Sequence, residues 1–333
     1  MPLSPLLFTP ILKEKVWGGR ALERLNKPLP AGRQIGESWE IADLAATSAD
    51  GGGGDAARSA ITHGTMRGLT LADALRASGA SIMGRAALTP DGHFPLLVKY
   101  LDARENLSVQ VHPSPAYAAD HPGAHLKTES WYIVHAEPGA VIYKGVKPGV
   151  TREAFERHIA DGSVVSDLIA VPVTAGDFHH LPSGTCHALG AGVLVAEVQT
   201  PSDTTYRVFD WGRTGRALHV EESLECIQFG PPERTGPIRS DGSARTLLES
   251  NEFYSLAELR MAKGEPHGLR IGGGSPRVWM LLAGSGRIAA ERGEFMAVDV
   301  KQGDTVLFPA AMPAANFVGN EPTTVLEAML PHR

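Results

Sequence analysis

Four side chains carry metal-binding chemistry by type and spacing: Gln110 and His112 in LSVQVHP, Glu129 in KTESWY, and His187 in LPSGTCHAL. Together they offer two imidazoles, one carboxylate and one amide oxygen, a set suited to a divalent cation with an open coordination position. Gln110 and His112 are two apart, which on a strand sends both to one face while Val109 and Val111 face the other way. Pro113 ends that strand, as suits a ligand near a barrel mouth. Glu129 opens the apolar run ESWYIV, and His187 follows the tight turn PSGTC. With 13 histidines in the chain, no single imidazole means much; the weight falls on the joint pattern. His179 and His180 are neighbours, so on a strand at most one faces inward. Cys186 stands beside His187, but a thiol nucleophile needs a paired base and His187 is better used on metal.

The elements that must hold these groups are short and mostly extended. Apolar, β-branched runs recur between Gly/Pro punctuation: FPLLVKYL, LSVQVHP, WYIVHA, AVIYKG, FHHLPSG, GVLVAEVQ, RVWMLLAG, GRIAAERG and DTVLFPA. That spacing predicts a mainly β protein built as antiparallel sandwiches or barrels rather than repeated βαβ units. Two helices are expected. One lies in TREAFERHIADGSVVSDLIA, with Thr151 as cap, Glu153 and Glu156 early, and Gly162 as a stop; the other lies in Leu69 to Gly84. The stretch Ala45 to Gly64, with its GGGGD run, reads as a mobile surface loop. It is a poor phosphate-cradling loop, having no preceding strand and no following Lys-Ser/Thr.

A faint internal repeat is present. AGDFHHLPSGTCHA (175–188) aligns without gaps on QGDTVLFPAAMPAA (302–315), and Trp131 in TESWYIV can be set against Trp279 in PRVWMLL. In the second copy Ala314 replaces His187 and Arg277 replaces Glu129, so only the first copy could hold metal. The expected organisation is a catalytic metal-binding domain over 1–230, with a helical insertion near 150–170, and a degenerate β-domain over 231–333.

Composition narrows the function. The 333 residues suit two domains, and 43% are hydrophobic, an ordinary globular share. A formal net charge of −6 leaves no global basic field for nucleic acid. Two cysteines, Cys186 and Cys226, exclude a disulfide scaffold and fit a reducing compartment. No uninterrupted apolar stretch is long enough to span a bilayer, and the opening MPLSPLLFTPILKEK is broken by three prolines. The expectation is a cytoplasmic protein, a monomer or weak homo-oligomer, with a small-molecule partner and no membrane or nucleic acid.

PLLVKYLDARENLSVQVHPSPAYA, KTESWYIV and PSGTCHALGAGVLVAEVQTPSDTTYRVFDWGR resemble the signature segments of type I mannose-6-phosphate isomerases, zinc-dependent members of the cupin superfamily. FTPILKEKVWGG and IGESWEIAD resemble the N-terminal segments of the short bacterial members, and the large helical insertion of the long eukaryotic members is missing. The resemblance implies two cupin-like jelly rolls and one Zn2+ per chain on Gln110, His112, Glu129 and His187. It also implies an active-site lysine at Lys127, proton-transfer and substrate-binding roles for Glu197 and Arg207, and substrate contacts from Lys99 and Ser108.

Those expectations agree with elementary chemistry. Moving a proton between C1 and C2 of a phosphosugar passes through an enediol or enediolate. It needs a Lewis acid for the developing oxyanion and a base for the proton. Zinc is redox-inert and accepts mixed N/O ligands, although the same donors admit iron, manganese or cobalt. In GVLVAEVQ the alternation puts Val193, Val195 and Glu197 on one face, carrying the carboxylate inward, where burial raises its pKa. The base is left open among Glu197, Lys127 and a metal-held water. Lys99, Ser108 and Arg207 are the leading phosphate donors, with Lys13, Lys15 and Arg20 as a secondary group; Trp17 and Trp39 are candidates to line the mouth. Two competing classes use the same ligands: an iron-dependent dioxygenase, separable by metal identity and O2 dependence, and a non-enzymatic sugar- or metal-sensing module, which would not need Lys127, Glu197 and Arg207.

Overall fold

The computed structural model of the chain describes residues 2–48, 53–121, 123–272 and 274–332. Its strands are all paired antiparallel, as the runs predict. A six-stranded sheet is ordered Phe178–Leu181, Glu129–Ala136, Val193–Gln199, Leu97–Ala103, Ile35–Ile41 and Ile11–Gly19. Facing it is a five-stranded sheet ordered Leu168–Pro172, Val141–Val146, His187–Leu189, Val109–Val111 and Tyr206–Phe209. Between them lies a core of Trp17, Leu101, Trp131, Ile133, Ile142, Leu189 and Val195.

The second half repeats this plan. A seven-stranded sheet runs Arg245–Ser250, Ser255–Met261, Thr323–Met329, Arg277–Ala283, Thr305–Phe308, Leu6–Thr9 and Ala60–Ile61. It covers a four-stranded sheet built on Ser285–Ala290 and Ala315–Gly319. The six- and seven-stranded sheets stack back to back, joining Val98, Tyr100, Ala196 and Val198 with Val278, Met280, Leu307 and Leu326 in one buried cluster. That explains why VLVAEVQ reads as nearly continuous apolar sequence. Val193 and Val195 fill the inner core while Leu194, Ala196 and Val198 face the other half, so both sides of the strand are buried. Each such fully buried aliphatic side chain contributes about 1.5–3 kcal/mol, which ties the halves together.

Several expectations shift here. The first sandwich and the second are not separated cleanly at residue 230, because Leu6–Thr9 pairs with Thr305–Phe308 and Ala60–Ile61 extends the same sheet. The stretch 45–64 is not one loop: Ala57–Arg58 pairs with Asp43–Leu44, and Ala57 and Ile61 are buried. Within it, residues 49–52, including the first two glycines of the GGGGD run, lie outside the described residues. Thr151 caps an α-helix over Arg152–Asp161, its side chain accepting from Ala154 N at 3.2 Å, and Gly162 ends it in the left-handed region. The remainder of that stretch is a 3-10 turn and the strand Leu168–Pro172, where β-branched Val171 packs into the inner core. The other helix forms over Leu71–Met83 under a Thr70–Asp73 capping box. Among the described residues, no helix is long and apolar enough to cross a membrane.

The internal repeat is a structural one. His179 pairs with Trp131 and Val306 with Trp279, as the gapless alignment requires. Before each strand, an aspartate accepts from the backbone three residues earlier: Thr174 N to Asp177 and Lys301 N to Asp304, both at 2.9 Å. In both copies a tryptophan on one strand donates its indole N–H to a glutamate directly opposite on the next: Trp131 to Glu197 at 2.7 Å and Trp279 to Glu327 at 3.0 Å. The copies differ in what surrounds that glutamate. Around Glu327 stand Arg277 and Arg245, each at 3.5 Å.

Gly176 and Gly303 occupy equivalent turns with φ of +91° and +90°. A Cβ on Gly303 would overlap the carbonyl oxygen of Leu25, whereas one on Gly176 meets nothing nearer than the Tyr132 hydroxyl at 3.9 Å. We therefore expect Gly176→Ala to cost only the left-handed strain, about 1–2 kcal/mol, and Gly303→Ala to cost clearly more. Equilibrium urea unfolding of the two variants checks this, and equal losses would contradict it.

Candidate active site

Strand register assembles the site as two facing rows. On the five-stranded sheet, Lys144 lies opposite His187, His187 opposite Gln110, and Gln110 opposite Arg207. On the six-stranded sheet, His179 lies opposite Trp131, Trp131 opposite Glu197, Glu197 opposite Lys99, and Lys99 opposite Trp39. Glu129 sits two residues before Trp131 and so shares its inward face. His179 is the inward member of the His179–His180 pair; His180 turns out to meet Ser130 Oγ at 3.0 Å. Three strands from two sheets thereby deliver Gln110, His112, Glu129 and His187 to one place.

The geometry of that place fits a cation. Candidate ligand atoms of His112, Glu129 and His187 lie within 4.8 Å of one another, and all three residues are buried. His187 Nε2 is 3.0 Å from Glu129 Oε1, and His112 Nε2 is 3.4 Å from Oε2. Each imidazole donates Nδ1–H to a backbone carbonyl, His112 to Thr204 O at 2.9 Å and His187 to Thr185 O at 2.8 Å. That fixes the tautomer and leaves the Nε2 lone pairs turned towards a carboxylate, the arrangement that orients metal-binding histidines. Neither Glu129 oxygen accepts a well-directed hydrogen bond. Lys127 supplies the positive charge between them, in an ion pair with Glu129 Oε2 and 2.9 Å from His112 Nε2. Burial and the Lys127 charge push the His112 pKa down to about 3, so its ring is a neutral donor. Burial would raise Glu129, but the Lys127 charge leads the opposing effects and the carboxyl is held well below the usual range. Gln110 completes the group, its Nε2 3.3 Å from His187 Nε2 and its Oε1 accepting from Ser108 Oγ at 3.3 Å; a half-turn of the amide exchanges the two atoms.

Above this cluster opens a pocket walled by Lys15, Trp17, Glu37, Trp39, Lys99 and Glu197 on one side, and by Ser108, Gln110, Thr205, Arg207 and Arg216 on the other. Glu197 is 2% exposed; Lys99 Nζ stands 3.1 Å from its Oε1 and the Trp131 indole bonds its Oε2. Burial and the nearby Glu129 charge raise its pKa, against Lys99 and Lys127. Burial disfavours the Lys99 charge, yet Glu197, Glu37 and Glu129 together carry its pKa above the ordinary lysine value. Among the secondary cations, Lys15 reaches the pocket and pairs with Glu37 at 3.4 Å, and Lys13 stacks its ammonium 5.0 Å over Trp39. Arg20 is not brought in: its guanidinium is spent on Glu23 and on the carbonyls of Pro30 and Arg33. Cys186 is buried and burial pushes its thiol far up, leaving no thiolate for chemistry. A roomier cleft of about 630 Å³ between Leu88, His93, Leu126 and Phe253 contains none of the side chains picked from sequence.

Sequence reasoning missed Glu37. Burial would raise its carboxyl, but Lys99 and Lys15 hold it down to about 2, and the Trp39 indole donates to it at 2.6 Å. The signal was available: Glu37 and Trp39 share strand parity in GESWE, so an inward tryptophan predicts an inward glutamate.

Fold and pocket together define an enzyme of the cupin class, with one functional β-sandwich and one that has lost the ligand set. The family described as phosphomannose isomerase type I, catalytic domain, matches residues 6–142. A mannose-6-phosphate isomerase of Streptococcus mutans is 34% identical over 326 residues, covering 95% of this chain and 96% of that one. Another, of Bacillus subtilis, is 39% identical over 323 residues, covering 93% and 94%. A solved mannose 6-phosphate isomerase structure from Bacillus subtilis aligns with a TM-score of 0.82 at 29% identity, covering 98% of this chain and 99% of that one. The chain belongs to the type I phosphomannose isomerase family.

Proposed function

We propose that this protein interconverts mannose 6-phosphate and fructose 6-phosphate with one zinc ion held by Gln110, His112, Glu129 and His187. The observation that carries the reading is the buried His112–Glu129–His187 cluster lying directly beneath a pocket whose wall presents Glu197 between Trp131 and Lys99. A divalent ion there supplies Lewis-acid stabilisation for the negative charge that develops on the sugar oxygens. Zinc suits the mixed nitrogen and oxygen donors and adds no redox chemistry.

Glu197 is the group placed to move the proton. Its ionised form takes the C2 proton of the aldose and returns it to C1 while the O2 hydroxyl proton passes to O1, so the carboxylate ends the cycle as it began. Burial raises its basicity towards the working range, and the Trp131 indole fixes the oxygen that does not face the substrate. Lys99 keeps enough of the carboxyl ionised to act, and its own charge is balanced by Glu37 at 3.6 Å. Lys127 stands between the cluster and the pocket, where its ammonium can donate to a substrate oxygen. Ser108 and Arg207 border the same pocket and serve substrate binding. Trp17 and Trp39 supply apolar walls that exclude water around the developing charge.

His187→Ala should abolish isomerisation and lower zinc content by elemental analysis while the circular-dichroism spectrum stays that of folded protein. Full activity in a metal-stripped sample would end the metal-dependent reading. Glu197→Gln should reduce kcat by about 10²–10⁴-fold, the usual range for a lost general base, with little change in KM; unchanged turnover would remove Glu197 from proton transfer. Lys99→Met deletes the charge that opposes the raised Glu197 pKa. The carboxyl then ionises at higher pH, so the acid limb of the kcat profile should move upward; a limb that stays or moves down contradicts this assignment.

A further inference from the structure

The stacked halves leave a second cavity between them. The cleft of about 630 Å³ opens where four strands of the six-stranded sheet begin or end. Asp43 and Leu44 follow Ile35–Ile41, Pro95 precedes Leu97–Ala103, Leu126 precedes Glu129–Ala136, and Thr200 to Asp203 follow Val193–Gln199. The second half closes the far side with Phe253 and Leu330, which lie beside the ends of Arg245–Ser250 and Thr323–Met329. Residues after the helix Leu71–Met83, Leu88 and His93 among them, make the third wall. Clefts of roughly 300–1,000 Å³ at such junctions have the usual size and place of small-molecule sites. Among the described residues, only Asp203 borders both this cleft and the substrate pocket.

The lining decides what fits. Leu88, Leu126 and Phe253 are half-buried and leave apolar surface in the cleft. Four carboxylates line it, Asp43, Asp91, Asp203 and Glu252, and among the described residues no lysine or arginine does. Asp203 is already used, accepting from Ser48 N at 2.9 Å, and Asp91 and Glu252 are exposed. Asp43 differs from these. It is 1% exposed; its Oδ2 accepts from Phe94 N at 3.0 Å and lies 3.4 Å from His93 Nδ1, while its Oδ1 accepts no hydrogen bond. Arg58, opposite Asp43 in register, does not supply the missing donor. A buried carboxylate oxygen without a donor is unfavourable, and a cation in the cleft would act on it through a weakly screening medium.

A wall of two segments keeps the cleft apart from the metal cluster. Thr128 N donates to Thr200 Oγ1 at 3.1 Å, Thr200 N to Thr128 O at 3.0 Å, and Ser202 Oγ to His125 O at 3.2 Å. Leu126 lines the cleft side of this wall and Lys127 the pocket side. We propose that the cleft is a second ligand site, taking a small organic ammonium ion with an apolar body while substrate occupies its own pocket. The ammonium end lies towards Asp43 and His93. The body lies against Leu88, Leu126 and Phe253, where an aromatic face also favours a nearby cation. This site depends neither on the isomerase reading nor on the metal.

Titration calorimetry on the zinc-loaded enzyme at neutral pH tests this with 2-phenylethylamine, whose protonated nitrogen offers zinc no lone pair. Binding with a Kd on the order of a millimolar is expected for so small a molecule, and saturating mannose 6-phosphate should leave it unchanged. 2-Phenylethanol keeps the body and loses the charge, so it should bind about tenfold more weakly. Asp43→Asn should weaken amine binding by about tenfold. Leu88→Trp fills the cleft without touching the carboxylate and should abolish amine binding while isomerase activity is kept. Because Asp43 also holds Phe94 N, Leu88→Trp decides the matter if Asp43→Asn does not fold. The proposal is overturned if the amine fails to bind, if the alcohol binds equally well, if substrate displaces the amine, or if either folded variant keeps wild-type affinity.

Discussion

A buried carboxylate facing two buried imidazoles needs positive charge among them, and much of this structure serves that need. Each ring spends its Nδ1–H on a backbone carbonyl, so in its neutral form it turns an Nε2 lone pair towards Glu129. Their remaining lone pairs converge in a place where unpaired charge is costly. Lys127 offsets part of this in the protein alone; a divalent ion held by His112, Glu129 and His187 would offset more of it. Binding chemistry and electrostatic stability are therefore one problem at this site, solved by the same side chains.

The two stacked sandwiches make that convergence reproducible. A one-residue slip of the Val109–Val111 strand would turn Gln110 out and bring Val109 or Val111 to the ligand row. Register is held on both sides, by His187–Leu189 and Tyr206–Phe209. The opposite sheet is held more firmly still, since its outer face is buried against the second half. The half without ligands thus acts as a rigid backing for the half that has them, and its sheet even borrows Leu6–Thr9 from the N-terminus.

What could be read from sequence followed the reach of each signal. Strand parity correctly put Val193, Val195 and Glu197 on the inner face and allowed one inward histidine at 179–180, because pleat alternation is local. The clustering of His112, Glu129 and His187 was legible because each sits in a distinctive segment, with Gln110 two residues before His112 on the same face. Legibility failed where placement depended on distant pairing. Arg20 looked available but is consumed by carbonyls ten and thirteen residues away. Leu168–Pro172 continued a helical pattern yet pairs as an edge strand with Val141–Val146. Glu37 and Arg216 sit in segments whose charges look like solvated surface until the partners Lys99 and Asp210 are seen.

The paired tryptophan–glutamate contact has a consequence for how the two halves can change. In the first, the carboxylates around Trp131 face Lys99, Lys127 and a candidate cation site; in the second, Arg277 and Arg245 stand beside Glu327. The second half therefore balances its buried glutamate with its own side chains and needs no cation there. Building a ligand set there would mean exchanging guanidinium for carboxylate and alanine for imidazole, and the first swap sets a second carboxylate beside Glu327 with Arg245 left to balance both.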